Sequence, residues 1–181
     1  MSKASGIQAK TRVSEKSRIN YYVLIAADSD RNRLNMPSAF QLANYRLKRK
    51  EWGLKERTRY RRHFRAGDKV LIYISGHREN AQHFVACATI AGSPAPAQNA
   101  GGSVDAPTLI TSIFSEYKVK LNDIGRFAKP VSARDLLTRF RFVAPKYIKM
   151  WRIYFQGGAA KITKSDFTLV LRNGGILLSS L

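Results

Sequence analysis

Basic and aromatic side chains are interleaved in one part of this sequence, between Arg31 and Arg65. Twelve lysines and arginines lie there against two carboxylates, and they are interleaved with Tyr45, Trp52, Tyr60 and Phe64. Basic side chains neutralise phosphates and release counterions, which gives binding that weakens as salt rises. Aromatic rings offer flat faces on which bases stack, with about 1–3 kcal/mol for each base. This combination is typical of a site for a single strand or for a base turned out of its stack.

Nine of these cations are candidate phosphate ligands, because they flank Trp52 on both sides. They are Arg46, Lys48, Arg49, Lys50, Lys55, Arg57, Arg59, Arg61 and Arg62. The alternative interpretation is a solvated basic helix whose aromatic residues belong to the core, and it applies most directly to Tyr45, Tyr60 and Phe64. Trp52 is the better candidate for a base contact, because it adjoins Gly53 within an otherwise charged stretch.

Residue types that support catalysis or metal binding are sparse. The sequence has no glycine-rich phosphate loop, no CxxC and no HExxH, and Cys87 is its only cysteine. Its histidines are His63, His77 and His83, of which the last two flank one predicted hairpin that also contains Glu79. We therefore predict a binding protein without enzymatic activity, cofactor or metal. A nucleic-acid-processing enzyme that uses one of these histidines remains the less favoured alternative.

The overall charge supports a polyanionic partner. The sequence has 32 Lys and Arg against 12 Asp and Glu, which gives a net charge of +20. A domain this basic is expected to bind nucleic acid, with RNA and DNA both open. An anionic membrane is the competing partner, but no apolar run approaches the roughly 18–20 residues that span a bilayer, so we predict no membrane association. A single cysteine allows no disulfide within the chain, which agrees with a cytoplasmic location.

The elements that would position these residues include both strands and helices. Runs rich in β-branched and aromatic residues predict strands at Tyr21 to Ala27, Lys69 to Ser75, Phe84 to Ile90 and Ser115 to Leu121. Pro37 and Ser38 open a predicted helix that ends close to Trp52 and Gly53. Thr163 and Asp166 cap a last helix. This order predicts an α+β fold with a small mixed or antiparallel β-barrel and peripheral helices.

Four further segments complete the predicted organisation. Residues 1–18 form a flexible basic arm, and residues 19–181 form a single domain. Residues 92–108 are rich in Ala, Pro, Gly and Ser and nearly uncharged, which predicts a long flexible loop. Arg57 to Phe64 is predicted as a short basic helix. Trp151 to Phe155 is predicted as a strand or irregular segment, with Trp151 in the core.

Several short motifs, taken in order, resemble a known family. They are the first strand Tyr21 to Ile25, the segment Glu51 to Leu54, the run from Phe64 to Tyr73, and Ile162 to Phe167 before the last helix. Their order and spacing over roughly residues 20–172 resemble an EVE domain of the PUA-like superfamily, which is similar to YTH domains. The resemblance implies a small β-barrel with a pocket that accepts a base, often a methylated one, extruded from its strand.

The resemblance also implies which residues form that pocket. Trp52 would be its wall, Gly53 would bring a backbone group to the base edge, and the remaining contacts would be Tyr22, Ala26, Ala27, Tyr73 and Ser75. YTH domains carry further tryptophans where this sequence has Ile113 to Glu116, and Phe114 would substitute there. The expected function is therefore a nucleic-acid-binding module that holds a flipped or single-stranded, methylated base. Non-selective binding through the basic surface and a small-molecule or protein-interaction module are the other hypotheses.

Overall fold

The computed structural model describes residues 18–28, 37–97 and 115–175. Within these ranges seven strands form one sheet. They are β1 (Tyr21–Ala27), β2 (Glu51–Leu54), β3 (Lys69–Ser75), β4 (His83–Ile90), β5 (Ala95–Pro96), β6 (Tyr117–Ser132) and β7 (Ala159–Ile162). The α-helices within the same ranges are α1 (Ala39–Lys48) and α2 (Lys164–Asn173), and 3₁₀ helices cover Arg61–His63, Arg134–Arg139 and Pro145–Phe155.

The sheet is mixed and curls into a half-barrel. Its strand order is β2-β6-β4-β3-β1-β7, with β5 paired to β6. The pairing of β1 with β3 is parallel, and the other pairings are antiparallel. Register shifts interrupt the pairings of β4 with β3 and with β6, and such bulges increase the local bend of a sheet. The predicted α+β fold with a small mixed barrel and peripheral helices is confirmed.

Apolar side chains on the two faces of the sheet form two separate cores. Along β1, Val23 and Ile25 belong to one core, whereas Tyr22, Leu24 and Ala26 belong to the other. This division follows from the alternation of side chains along a strand. α2 covers the first face with Phe167, Val170 and Leu171, and α1 covers the second face with Ala39, Ala43 and Leu47. The two helices therefore lie on opposite sides of the sheet.

Both α-helices begin at capping boxes that the sequence contains. The Ser38 hydroxyl accepts a hydrogen bond from the Gln41 N–H, and the Gln41 side chain accepts one from the Ser38 N–H. Thr163 and Asp166 make the equivalent pair at the start of α2, as predicted. The Asp28 carboxylate, which follows β1, accepts a hydrogen bond of 2.8 Å from the Ala39 N–H. The end of β1 is thereby tied to the start of α1.

Three predicted segments differ in the structure. Trp52 and Gly53 follow α1 closely, since it stops at Lys48, but they belong to the strand β2 and not to a helix end. Arg57 to Phe64 contains only the 3₁₀ helix Arg61–His63, and Trp151 to Phe155 belongs to the 3₁₀ helix Pro145–Phe155. Trp151 is buried, as predicted for a core residue.

The predicted arm and loop mostly fall outside the structural description. Residues 1–17 and 98–108 lie outside the described residues, whereas Ala95–Pro96 within the predicted loop pairs with β6. The domain boundaries stay a prediction. Among the described residues, no helix is both long enough and apolar enough to cross a bilayer.

Candidate nucleic-acid interface

A cavity of about 320 Å³ lies where the carboxyl ends of β1 and β2 approach α1. Pockets for small ligands typically have volumes of about 300–1,000 Å³, so this one suits a single planar ring. Its walls come from β1, α1, the segment that runs from β2 to Thr58, and the turn before β7. The lining residues are Ile25, Ala27, Asp28, Leu42, Arg46, Gly53, Lys55, Arg57, Thr58, Gly157 and Gly158.

One wall of the cavity is held by a glycine turn. The Gly157 carbonyl accepts a hydrogen bond from the Arg59 N–H, and the Gly158 carbonyl accepts one from the Ile25 N–H, each at 3.0 Å. Both glycines have positive φ, 76° and 78°. A Cβ at Gly158 would lie 3.1 Å from the Thr58 side chain, so the turn is tightly packed as well as left-handed. The segment after β2 is therefore fixed against β1 across the open side of the half-barrel.

The edge strand β2 contributes backbone groups to the cavity. The Lys50 carbonyl accepts from the Leu121 N–H of β6, and the Leu54 carbonyl accepts from the Glu116 N–H. Because backbone groups alternate between the two sides of a strand, those of Gly53 point away from β6. Gly53 lines the cavity, and a Cβ on it would lie 1.9 Å from the Ser115 Oγ. Only glycine fits this close approach, and it leaves an edge N–H and C=O available to a ligand.

A planar cation forms another wall. The Arg46 guanidinium lies over the Trp52 ring, 5.0 Å from the ring centroid, a distance typical of a cation–π contact. Its Nη2 would be 3.3 Å from a Cβ at Gly53. Burial lowers the pKa of Arg46 to about 10. The Arg46 Nε and the Ser115 Oγ are buried and have no hydrogen-bond partner among the described residues. Buried polar atoms of this kind are ordinarily satisfied, so the unpartnered Nε of Arg46, a residue that lines the cavity, makes the cavity a candidate ligand site.

Comparison with known protein families shows which family the chain belongs to. The sequence profile of the EVE domain matches residues 35–173. The chain belongs to the EVE domain family. The resemblance drawn from the sequence motifs is thereby confirmed. No curated protein matches the sequence of this EVE domain.

Solved structures with the same fold include two complexes with methylated nucleic acid. One is human THYN1 with DNA containing 5-methylcytosine, with 11% identity, a TM-score of 0.52, and 86% of this chain and 97% of that chain covered. Another is the YTH domain of Zygosaccharomyces rouxii MRB1 with N6-methyladenosine RNA, with 11% identity, a TM-score of 0.50, and 87% and 88% covered. Rpa0253 from Rhodopseudomonas palustris has 15% identity, a TM-score of 0.50, and 87% and 94% covered. At these identities the similarity establishes the fold alone.

The structure corrects the role predicted for Trp52. Its side chain is 1% exposed and belongs to the core between the sheet and α1, so neither face of the indole is open to a base. The surface that reaches the cavity beside it is the guanidinium of Arg46, which was predicted to bind phosphate. The physical reason is that β2 alternates: Trp52 and Leu54 point into the core, while Glu51 and Gly53 are partly exposed.

The remaining predicted pocket residues divide between the core and two adjoining cavities. Tyr22 and Ala26 are buried in the core and line neither cavity, which contradicts their predicted role. Ala27 is exposed and lines the first cavity together with a second one of about 180 Å³. Tyr73 and Ser75 line only the second cavity, and burial raises the pKa of the Tyr73 hydroxyl. Phe114 lies outside the described residues.

The nine predicted phosphate ligands also have different surroundings. Lys55 and Arg57 line the cavity and are exposed, and five others are exposed nearby in sequence: Lys48, Arg49, Lys50, Arg59 and Arg62. Arg61 contradicts the prediction. Its side chain is 9% exposed, forms an ion pair of 2.5 Å with Glu56, and lies 3.6 Å from the centroid of the Tyr117 ring. Arg61 therefore holds the segment after β2 in position, and it is not available to a phosphate.

Glu56 is the acidic partner in this cluster. A hydrogen bond from the Tyr117 side chain, together with the charges of Arg61 and Arg62, holds the pKa of Glu56 below its usual range. The Glu56 N–H in turn donates to the Glu116 carboxylate. These contacts fasten the residues that lead from β2 to the cavity wall at Arg57 and Thr58.

Sequence reasoning missed several residues of the cavity. Leu42 lies within the predicted helix and Thr58 lies between Arg57 and Arg59, and neither residue differs from its neighbours in a way that indicates a site. Gly157 and Gly158 could have been noticed, because a pair of glycines is a usable signal of close packing. Asp28 was missed as well. Its carboxylate lies between the two cavities and accepts hydrogen bonds from the N–H groups of Ala39 and His77, at 2.8 and 3.3 Å.

Proposed function

We propose that this EVE domain is a non-enzymatic nucleic-acid-binding module that holds one unstacked, methylated base in the 320 Å³ cavity. The observation that carries this proposal is the Arg46 guanidinium, which is supported by Trp52 on one side and reaches the cavity beside Gly53. Guanidinium planes are common stacking partners for bases splayed out of a strand. The two structural relatives in complex with 5-methylcytosine DNA and N6-methyladenosine RNA support the same class of ligand.

The polar groups of the cavity suit the edge of a base. The N–H and C=O of Gly53 lie on the free side of β2, and the unpartnered Ser115 Oγ and Arg46 Nε lie close by. The Asp28 carboxylate supplies an acceptor on the opposite wall, where an exocyclic amino group would be recognised. A base that leaves its stack loses a few kcal/mol, and these contacts offset that cost.

The apolar part of the lining suits a methyl group. Ile25, Leu42 and Ala27 contribute aliphatic surface to the cavity. A methyl group in such surroundings contributes about 1–3 kcal/mol, so the expected preference for the methylated base is modest. Because Arg46 is positively charged, the preferred base is a neutral one, and a cationic methylated base would be repelled. This differs from an aromatic wall, which would attract a cationic base.

The exposed cations around the cavity suit the flanking phosphates. Lys55 and Arg57 are at its rim, and Lys48, Arg49 and Lys50 lie at the end of α1 and directly after it. Contacts with phosphates position a nucleic acid but carry no sequence information. Affinity from these residues is therefore expected for any strand, and the cavity adds the preference for the methylated base.

A cavity-filling substitution tests this proposal. Ala27 is exposed at the cavity, so Ala27→Phe occupies the space without enlarging a buried side chain. We expect the variant to lose the preference for methylated over unmethylated oligonucleotides and to keep salt-dependent binding to both. The measurement is fluorescence anisotropy with paired oligonucleotides that differ by one methyl group. Ala128→Phe is the matched control, because Ala128 is exposed on β6 and lines none of the described cavities.

The outcome also decides between this function and non-selective binding. The net charge of +20 alone favours a protein that binds any nucleic acid through its surface. That alternative predicts equal affinity of the wild type for the methylated and unmethylated strands. An unchanged methyl preference in Ala27→Phe would contradict the cavity as the base site.

A further inference from the structure

A second basic surface lies on α2, away from the cavity. It is an open groove of about 670 Å³ between α2 and the segment that follows the 3₁₀ helix Arg134–Arg139. Four cations line it, together with small polar residues and one leucine: Arg139, Arg141, Lys164, Ser165, Thr168, Leu169, Arg172 and Asn173. None of the lining residues is acidic, and none lines the base cavity.

The positive charge of this groove is not compensated within the described part of the chain. Arg139, Arg141, Lys164 and Arg172 are exposed and form no ion pair with a described carboxylate. The nearest acid of α2, Asp166, is 1% exposed and is used in the capping box and in a hydrogen bond from the Arg141 N–H. The groove therefore presents several like charges at close quarters, which attracts a multivalent anion.

The geometry of the groove suits a polymer of phosphates. Lys164, Thr168 and Arg172 are spaced by four residues along α2, so they lie on one face of the helix and extend over about 12 Å. Arg139 and Arg141 provide a second row beside this face. Arginine binds phosphate oxygens through two parallel N–H groups, and a threonine hydroxyl adds a further donor.

An anionic membrane would require a different surface. Helices that lie on membranes combine a basic face with large apolar side chains that enter the bilayer. Among the described residues, the exposed large apolar side chains are Ile19, Tyr60, Met150 and Ile153, and none of them lines this groove. Leu169, which does line it, is only partly exposed.

We infer that the α2 groove is a second nucleic-acid contact, which binds the sugar–phosphate backbone of the same strand or duplex without reading its bases. α2 and α1 cover opposite faces of the sheet, so a long nucleic acid would follow the surface of the domain from one side to the other. The nature of the partner rests on the proposed function, whereas the groove, its charge and its separation from the cavity do not.

The test compares a variant that lacks three positive charges of the groove with a control variant that lacks three positive charges elsewhere on the surface. The groove variant is Arg139→Gln, Arg141→Gln and Arg172→Gln combined. The control replaces Lys129, Lys149 and Lys161 by Gln, since these lysines are exposed and line none of the described cavities. Binding of long oligonucleotides is measured by fluorescence anisotropy over a range of salt concentrations. Thermal unfolding of each variant confirms that the fold is kept.

We expect the groove variant to reduce the slope of log K against log salt by about 2–3, because each lost phosphate contact removes about 0.7–0.9. Affinity at low salt should fall at least about tenfold, and the preference for a methylated base should be unchanged. Equal losses in the lysine control, or an unchanged slope in the groove variant, would overturn the proposal. So would strong wild-type binding to anionic vesicles that the groove variant loses, with no change for nucleic acid.

The two proposals fail in different ways. The Ala27→Phe variant should lose the methyl preference and keep the salt slope, whereas the groove variant should do the reverse. If the wild type binds with a steep dependence of log K on log salt but without a methyl preference, the proposed base site is contradicted and the proposed role of the groove remains supported. If the wild type shows a clear methyl preference and the groove variant has an unchanged salt slope, the proposed role of the groove is contradicted and the proposed base site remains supported.

Discussion

Replacement of Arg46 by lysine separates the shape of the cavity wall from its charge. The Arg46 guanidinium lies 5.0 Å from the Trp52 ring centroid, and its Nη2 would be 3.3 Å from a Cβ at Gly53. Lysine keeps the positive charge and most of the aliphatic stem, but its ammonium group is compact and offers no flat surface. A base that stacks on Arg46 therefore loses its platform in Arg46→Lys, while the attraction of the domain for phosphates is preserved.

The size of the effect follows from the stacking contribution. Stacking of one base on a planar side chain contributes about 1–3 kcal/mol, which corresponds to about 5- to 150-fold in Kd. We expect Arg46→Lys to weaken binding of a methylated oligonucleotide within this range. The dependence of log K on log salt should be the same as in the wild type, because the number of cations is unchanged.

The assay is fluorescence anisotropy with a short oligonucleotide that contains one methylated base, at several salt concentrations. Arg134→Lys is the matched control, since Arg134 is exposed on a 3₁₀ helix and lines none of the described cavities. Its affinity should equal that of the wild type. Wild-type affinity and methyl preference in Arg46→Lys would refute the assignment of the guanidinium as the stacking surface.

Three other substitutions address the support of the cavity. Trp52→Ala should lower the free energy of unfolding in urea by about 3–5 kcal/mol, because it empties a fully buried site, and a loss below about 1 kcal/mol would contradict that packing. Gly53→Ala places a Cβ 1.9 Å from the Ser115 Oγ, and should cost about 1–3 kcal/mol by overpacking, which adding Ser115→Gly should partly restore in the same titration. Glu56→Gln should destabilise the fold near neutral pH but not in acid. The folded-state pKa of Glu56 is lowered, so its contribution is present above the ordinary carboxyl pKa and lost as pH falls through the folded value. The measurement is the free energy of unfolding of the wild type and of Glu56→Gln, near neutral pH and in acid. An equal difference between the two proteins at each pH would contradict the prediction.

Local patterns in the sequence were sufficient for most of the fold. The run Lys69 to Ser75 forms β3 with the predicted bounds, because β-branched and aromatic residues in a short run favour a strand. Thr163 caps α2 as predicted, since a capping box is read within four residues. Only the first part of β6 was predicted. Only Tyr117 to Leu121 alternates clearly, and the strand continues to Ser132.

Trp52 illustrates where the sequence was misread. Its charged neighbourhood favoured an exposed indole near a helix end. The four residues of β2 in fact alternate between partly exposed and buried positions, which is the pattern of a half-buried strand. A four-residue alternation next to a helix is too short to be distinguished from a helix end by periodicity alone. Burial of Trp52 could therefore be established only from its pairing with Val119 of β6.

The cavity itself depends on contacts that no local pattern encodes. The Arg59 N–H meets the Gly157 carbonyl, about a hundred positions later in the chain, and this contact sets the segment after β2 against the end of β1. A single sequence contains no signal for such a pairing. Under the proposed function, the surface that meets the base would be a cation supported by an indole, and not the indole itself. The same Trp52 that was expected to bind a base directly would then act through Arg46, by supporting the guanidinium beside the cavity. Under the proposed function, base selectivity would therefore depend on the neutral charge of the ligand as well as on its shape.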